Sequence, residues 1–151
     1  ILFLVAASNF FGAVFSRLGT PMMLTDLLLG WDLSATMVLI IVMALIFLLG
    51  WPLEWVPIVL IIVPILIPVL VKLDINLTWF GILVAVNLQT AWLSPPVALS
   101  AYFLKGVVPE WDLKDIYFGM MQFMVIQLIG LALIFMFPQI ALWLPNYIYG
   151  Q

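Results

Sequence analysis

Residues 77–103 read LTWFGILVAVNLQTAWLSPPVALSAYF, an uncharged apolar stretch that Ser94-Pro95-Pro96 interrupts. A bilayer-spanning helix needs about 20 such residues, so this stretch is long enough to cross. Two adjacent prolines do not both fit inside a helix, and the residue before them is driven towards extended geometry. The sequence therefore predicts a discontinuous helix over 77–104, broken at 94–96.

Polar side chains collect just before this break. Asn87, Thr90 and Ser94 are spaced at i, i+3 and i+7, which places them within about 60° on one helix face. Irregular backbone at membrane depth is tolerated only inside protein or beside a water-filled cavity, and discontinuous helices form the ion and substrate sites of secondary transporters. The break is interpreted either as such a site or as a short interfacial turn between two half-spans.

The composition supports a membrane location. Of 151 residues, 68% are hydrophobic and 7% are charged, and the mean hydropathy is +1.36; soluble domains are about 45–50% apolar and about 25% charged. There is no His and no Cys, so the common ligands of zinc, haem and iron–sulfur centres are absent. The net charge of −3 disfavours nucleic acid as a partner. The sequence predicts an all-α integral membrane protein in a lipid bilayer.

Two further apolar runs, of about 17 residues each and therefore short for a full crossing, flank Gly50-Trp51-Pro52-Leu53-Glu54. Together they predict a helical hairpin over 34–72, formed either by two crossings or by a re-entrant pair. Glu54 is interpreted either as a functional carboxylate inside the bilayer or as a solvated group at the headgroups. Pro57, Pro64 and Pro68 lie on one face of the second apolar run. They indicate either ordinary helix curvature or a row of backbone carbonyls without hydrogen-bond donors.

The remaining segments complete the expected organisation. Residues 1–33 are expected to form the end of a membrane helix and an interfacial connector, and residues 112–145 a C-terminal membrane helix that is kinked or ends near Pro138. Gln122 and Gln127 are expected to make interhelical hydrogen bonds rather than to contact substrate. Because the chain starts at Ile1 inside an apolar run, we expect it to be a fragment of a longer protein.

Five segments in order carry a family resemblance: GWPLE at 50–54, VPILIP at 63–68, WFG at 79–81, VNLQT at 86–90 and SPPV at 94–97. This set resembles the large permease subunit of TRAP transporters, the DctM type, over nearly the whole chain. The chain would then be the C-terminal half, one of two inverted repeats. The sequence departs from the family pattern in three places. Ser94 replaces its usual threonine, Ala98 replaces its usual glycine, and the tip carries Pro52 and Glu54 instead of the more common Phe-Leu-Asp.

The resemblance implies a sodium-coupled importer of small organic acids that works by an elevator mechanism in the bacterial inner membrane, as a multi-pass protein. It implies two protein partners, a small membrane subunit and a periplasmic solute-binding protein. Sodium ions would be the coupling ions, with no other cofactor, and the chain would not be an enzyme. The alternative is a non-transporting membrane scaffold or assembly subunit whose prolines only kink its helices.

The resemblance also implies site residues. In the family, the tip of the second hairpin and the break in the following helix build a sodium site beside the substrate cavity, which makes 34–72 re-entrant. Backbone and hydroxyl oxygens would bind the ion. The residues carried over to the ion site are Gly50, Trp51, Glu54, Thr90, Ser94, Pro95 and Pro96. Those carried over to the substrate cavity are Asn87 and Val97.

Overall fold

The computed structural model describes residues 2–31, 33–53, 55–95 and 98–150, and every regular element in these ranges is helical. The all-α prediction is confirmed. In chain order the elements are α1 (Leu2–Arg17), α2 (Thr20–Leu29), α3 (Ala35–Leu49), α4 (Trp55–Pro57), a π-helical turn (Ile58–Ile62), α5 (Val63–Lys72), α6 (Leu77–Leu93), α7 (Leu99–Val107), α8 (Leu113–Met136) and α9 (Gln139–Tyr149).

Two helices among the described residues are long and apolar enough to cross a membrane. One is the uninterrupted helix Trp55–Lys72, which comprises α4, the π-helical turn and α5, and the other is α8. The helices α3 and α6 are apolar but shorter. The helical content and these two candidate spans agree with a membrane protein.

Side-chain caps fix where three of the apolar helices begin. Ser34, Asn76 and Asp112 each have extended backbone geometry and accept a hydrogen bond from a backbone N–H in the first turn of α3, α6 and α8, respectively. Each cap satisfies one of the N–H groups that a helix start leaves without a partner. The boundaries of these helices are therefore set by local sequence chemistry.

The main core lies between α3, α6 and the long helix Trp55–Lys72. The helix α3 packs chiefly on α6, whereas α5 packs chiefly on α2. The fully buried aliphatic residues of this core come from all three elements: Val38, Leu39, Val42, Ile46, Ile58, Val69, Leu70 and Leu83. This packing places the turn after α3 beside the last turns of α6.

The π-helical turn lies between two of the prolines on the second hairpin arm, Pro57 and Pro64. Here the N–H of Val63 donates to the carbonyl of Ile58, five residues earlier. Since Pro64 has no N–H, the carbonyl of Leu60 loses its α-helical donor. The sequence indicated free carbonyls or curvature on this face but did not predict a π-helical turn.

At the end of α8, Trp79 supplies the hydrogen-bond donor that Pro138 lacks. The α-helical partner of the Ile134 carbonyl would be residue 138, which is a proline and has no N–H. The indole Nε1–H of Trp79 donates to this carbonyl at 3.1 Å, and the Trp79 ring lies 5.7 Å from that of Phe135. The start of α6 is thereby joined to the end of α8.

We expect the substitution Trp79→Phe to lower the free energy of unfolding by about 1–3 kcal/mol, because it leaves the Ile134 carbonyl without a donor. The loss should shrink in a Pro138→Ala background, where residue 138 supplies its own N–H. Equilibrium unfolding in mixed detergent micelles of the wild type, both single variants and the double variant measures the coupling. If the two substitutions changed the free energy of unfolding additively, Trp79 would not be replacing the N–H that Pro138 lacks.

Candidate functional site at the helix break

The discontinuous segment ends one helix and begins another inside the protein. The last helical residue of α6 is Leu93, Ser94 has extended backbone (φ −88°, ψ 130°), and α7 begins at Leu99. Ser94 and Ala98 are completely buried, and the Ala98 N–H donates to the Ser94 carbonyl at 3.0 Å. Pro95 lies in this turn. The described ends of the break, at Ser94 and Ala98, are thus enclosed by protein.

The turn after α3, which we call the hairpin tip (residues 50–53), touches the last turns of α6. A Cβ atom placed on Gly50 would lie 3.2 Å from the Cβ of Ala91. Trp51 packs edge-on against Phe47 at 5.9 Å and remains partly exposed. The tip and the helix break, which are more than 40 residues apart in sequence, are therefore neighbours in space.

Three of the residues assigned to the site lie outside the described residues. These are Glu54, which follows the tip in sequence, and Pro96 and Val97, which lie between Pro95 and Ala98 in sequence. Their assignment therefore remains a prediction from the sequence.

Asn87 holds the most unusual polar atom near the break. Its side chain is 1% exposed, and its Nδ2 donates to the carbonyl of Met43 in the middle of α3 at 2.8 Å. Its Oδ1 has no hydrogen-bond partner, and no other side-chain atom among the described residues is both buried and unpartnered in this way. Leaving a buried acceptor unsatisfied costs about 1–3 kcal/mol. Among the described residues, Asn87 therefore presents a buried side-chain acceptor whose hydrogen-bonding capacity is unused.

The two hydroxyl groups of the site are also buried. Thr90 Oγ1 donates to the Asn87 carbonyl at 2.6 Å, and Ser94 Oγ donates to the Ala91 carbonyl at 3.5 Å. Since a hydroxyl group uses one hydrogen to donate, its acceptor lone pairs remain available. The described part of the chain contains no cluster of three or more acidic, His or Cys residues. Neutral oxygens of this kind suit a small, hard, singly charged cation rather than a transition metal.

A cavity of about 640 Å³ lies on another face of α6, between α4, α6, α7 and α8. Its wall includes Trp55, Gln89, Trp92, Ser100 and Gln127. Side chains two residues apart on a helix point in directions about 200° apart. Gln89 therefore faces this cavity, whereas Asn87 faces α3. The asparagine is not among the described residues that line the cavity.

Gln127 joins α8 to α6 at this cavity. Its Nε2 donates to Gln89 Oε1 at 2.7 Å and to the Val86 carbonyl at 3.0 Å. The expected interhelical role is confirmed for Gln127 but not for Gln122, whose exposed side chain makes no hydrogen bond within the described part of the chain. Gln89 was not predicted from the sequence, although a polar side chain on an otherwise apolar helix, with Ala85 and Trp92 at helical spacing, indicates a polar contact on that face.

Comparisons with known proteins agree on one family for this chain. The family model described as "Tripartite ATP-independent periplasmic transporter, DctM component" matches residues 1–140. This match covers α1 to α8, the hairpin tip and the helix break, and ends at the start of α9.

Individual relatives agree with the family match. The chain is 32% identical to the C4-dicarboxylate TRAP transporter large permease protein DctM of Rhodobacter capsulatus, over 97% of this chain and 33% of that protein. It is 30% identical to the sialic acid TRAP transporter large permease protein SiaM of Vibrio cholerae, over 100% of this chain and 36% of that protein. With the sialic acid TRAP transporter permease protein SiaT of Haemophilus influenzae, it shares 26% identity over 97% of this chain and 24% of that protein.

The chain spans about a quarter to a third of the length of these relatives. All three are transporter permeases, and none is named as an enzyme. The chain therefore belongs to the DctM family, the large permease components of the tripartite ATP-independent periplasmic transporters, which is a family of bacterial membrane transporters rather than of enzymes.

Proposed function

We propose that the hairpin tip and the helix break form a sodium site in a permease that imports small organic acids by an elevator mechanism. The observation that carries the proposal is the buried, unpartnered Oδ1 of Asn87. A sodium ion would satisfy this oxygen together with Thr90, one turn along α6, whereas Ser94 and the carbonyls freed at the break lie about 10 Å further along the helix axis and would bind the ion at another point of its path. Gly50, Trp51 and Pro95 would contribute through their backbone, as would Glu54 and Pro96 from the positions that the sequence assigns.

Coupling to sodium fits the chemistry of this site. An unwound helix supplies carbonyl oxygens for a cation without placing a charged side chain in the bilayer. Moving one elementary charge across 100 mV is worth about 2.3 kcal/mol. Sodium ions that enter with the substrate could therefore drive its accumulation, in agreement with a transporter that does not use ATP.

The substrate class and the partners are inferred from the relatives. Their names specify sialic acid and C4-dicarboxylates, so we propose a small organic anion as the substrate. We also propose that the chain is part of a longer, multi-pass permease of the inner membrane. It would work with a small membrane subunit and a periplasmic solute-binding protein, as the tripartite family implies.

The test is uptake by the complete transporter in proteoliposomes, with the binding protein present and with radiolabelled succinate and sialic acid as probes. We expect uptake under an inward sodium gradient and no uptake when potassium replaces sodium. Uptake that is independent of sodium would overturn the coupling. No uptake of either probe under any gradient would instead favour a non-transporting scaffold.

The Ser94 hydroxyl gives a second measurement in the same assay. We expect Ser94→Ala to raise the sodium concentration required for half-maximal uptake by about tenfold, because one oxygen of the site is lost. Ser94→Thr keeps the hydroxyl and is the matched control, with a sodium requirement close to that of the wild type. An unchanged sodium requirement in the alanine variant would remove Ser94 from the site.

A further inference from the structure

We propose that α9 is an interfacial anchor helix, which lies at the boundary between lipid headgroups and acyl chains and buries one apolar face in the bilayer. The lipid–water interface is therefore the partner of this surface. The inference goes beyond the proposed function and depends neither on sodium coupling nor on the substrate.

One face of α9 is apolar and exposed. Its residues recur at intervals of three and four positions, which places them on an arc of about 140°. They are Ile140, Trp143, Leu144, Tyr147 and Ile148. On the other side of the helix, Leu142 and Pro145 are half-buried, and α9 contacts α6 and α8. The helix is thus attached to the protein along one side and presents a broad apolar face on the other.

The length of α8 indicates the depth at which α9 begins. With 24 residues, α8 is about 36 Å long, whereas the hydrocarbon core of a bilayer is about 30 Å thick. After Met136 the chain leaves helical geometry at Phe137 (φ −123°, ψ 77°), so α9 does not continue the axis of α8. Since α8 alone is long enough for the whole crossing, α9 starts near the headgroups.

Charged side chains indicate the same depth independently. Trp79 in the first turn of α6 donates to the Ile134 carbonyl in the last turn of α8, so these two helix ends lie at one level. Asp74 precedes α6 by three residues. Lys72, at the end of α5, forms an ion pair with Asp26 at 3.6 Å, in which both side chains are largely exposed. Because charges are costly in hydrocarbon, this end of the helices lies among headgroups or water.

The side chains of the exposed face suit this interface better than they suit another helix. Trp and Tyr are enriched where membrane meets water, because an apolar ring and a polar N–H or O–H match both sides of the boundary. The rings of Trp143 and Tyr147 stack with centroids 5.9 Å apart. Contacts between membrane helices favour Gly, Ala, Ser and Thr, and the five residues of this face include none of them. The composition of the face therefore favours lipid over a helix from elsewhere in a longer permease.

Fluorescence quenching in the complete permease, reconstituted in lipid vesicles, tests the depth of α9. This chain has no cysteine, so in a cysteine-free background Tyr147→Cys and Ile126→Cys each provide one attachment point for a fluorophore. Ile126 is exposed near the middle of α8 and is the reference for the bilayer centre. We expect brominated lipids to quench the probe at position 147 most strongly from about 10–15 Å off the centre. The probe at position 126 should respond most to bromines at the centre.

Tyr149→Cys is the matched control on α9. Tyr147 and Tyr149 are 79% and 78% exposed, but their side chains point about 200° apart. We expect aqueous iodide to quench the probe at position 149 and to have little effect at position 147. Circular dichroism of the labelled proteins should match that of the wild type, because all three substituted side chains are exposed.

Three results would overturn the inference. Equal iodide quenching at positions 147 and 149 would mean that water covers the apolar face. Protection of position 147 from both iodide and brominated lipids would mean that protein covers it. A probe at position 147 as deep as the one at position 126 would place α9 inside the hydrocarbon core.

Discussion

Uptake driven by a sodium gradient should be lost in the variant Asn87→Leu, although the helices remain folded. The substitution removes the only side-chain oxygen that is buried without a hydrogen-bond partner among the described residues. Loss of even an indirect partner of a bound metal weakens its binding by about 10–100-fold. We therefore expect the sodium requirement to rise by about 100-fold, beyond the range in which uptake is measurable.

The fold should tolerate this substitution because leucine matches a position that is already buried. The Met43 carbonyl loses the bond from Asn87 but lies inside α3, where a backbone N–H one turn later remains its donor. One hydrogen bond worth about 1 kcal/mol is lost, and one unsatisfied acceptor that costs about 1–3 kcal/mol is removed at the same time. The free energy of unfolding should therefore stay within about 2 kcal/mol of the wild type.

Uptake and unfolding are measured side by side on the Asn87→Leu variant. Thr25→Val is the control, because Thr25 is completely buried and its hydroxyl donates to the Pro21 carbonyl at 2.7 Å, in α2 and away from the break. This control should transport like the wild type. A folded Asn87→Leu protein with an unchanged sodium requirement would show that Asn87 is not a ligand.

Gly50→Val should disrupt the contact between the hairpin tip and α6. A Cβ atom at this position would lie 3.2 Å from Ala91 Cβ and 3.3 Å from the Phe47 carbonyl oxygen, whereas carbon atoms pack best at about 3.5–4.0 Å. A branched side chain cannot be accommodated by shifts of a few tenths of an ångström. Overpacking of this kind costs about 1–3 kcal/mol, and the tip would move away from the break. We expect uptake to fall below detection.

A smaller change at the same position gives the matched test. Gly50→Ala should reduce uptake partially, and adding Ala91→Gly should restore it, because the second substitution removes the Cβ that the first one meets. Gly81→Val is the control on α6, since nothing lies within 4 Å of a Cβ built there. Normal uptake by Gly50→Val, or no restoration by Ala91→Gly, would refute a functional contact between tip and break.

Local chemistry explains what could be predicted from the sequence. Helix starts at Ser34, Asn76 and Asp112 follow from side chains that accept from the adjacent backbone. The interruption after Leu93 follows from two prolines that restrict their own backbone and that of the residue before them. The all-helical membrane class follows from composition, because a mostly apolar chain in lipid must satisfy its backbone hydrogen bonds internally.

The orientation of α6 about its own axis was decided by tertiary packing alone. Apolar residues surround this helix on all sides, so hydrophobic periodicity does not indicate which face meets α3 and which lines the cavity. The partner of Asn87 is a backbone carbonyl 44 residues away, and the partner of Gln89 is an amide 38 residues away. Backbone carbonyls are present at every residue, so no pattern of side chains identifies the one that a distant donor will reach. The sequence by itself determined where the helix breaks and which side-chain oxygens lie near the break. Packing determined that Asn87 Oδ1 is left without a partner and that the Gln89 amide faces the cavity.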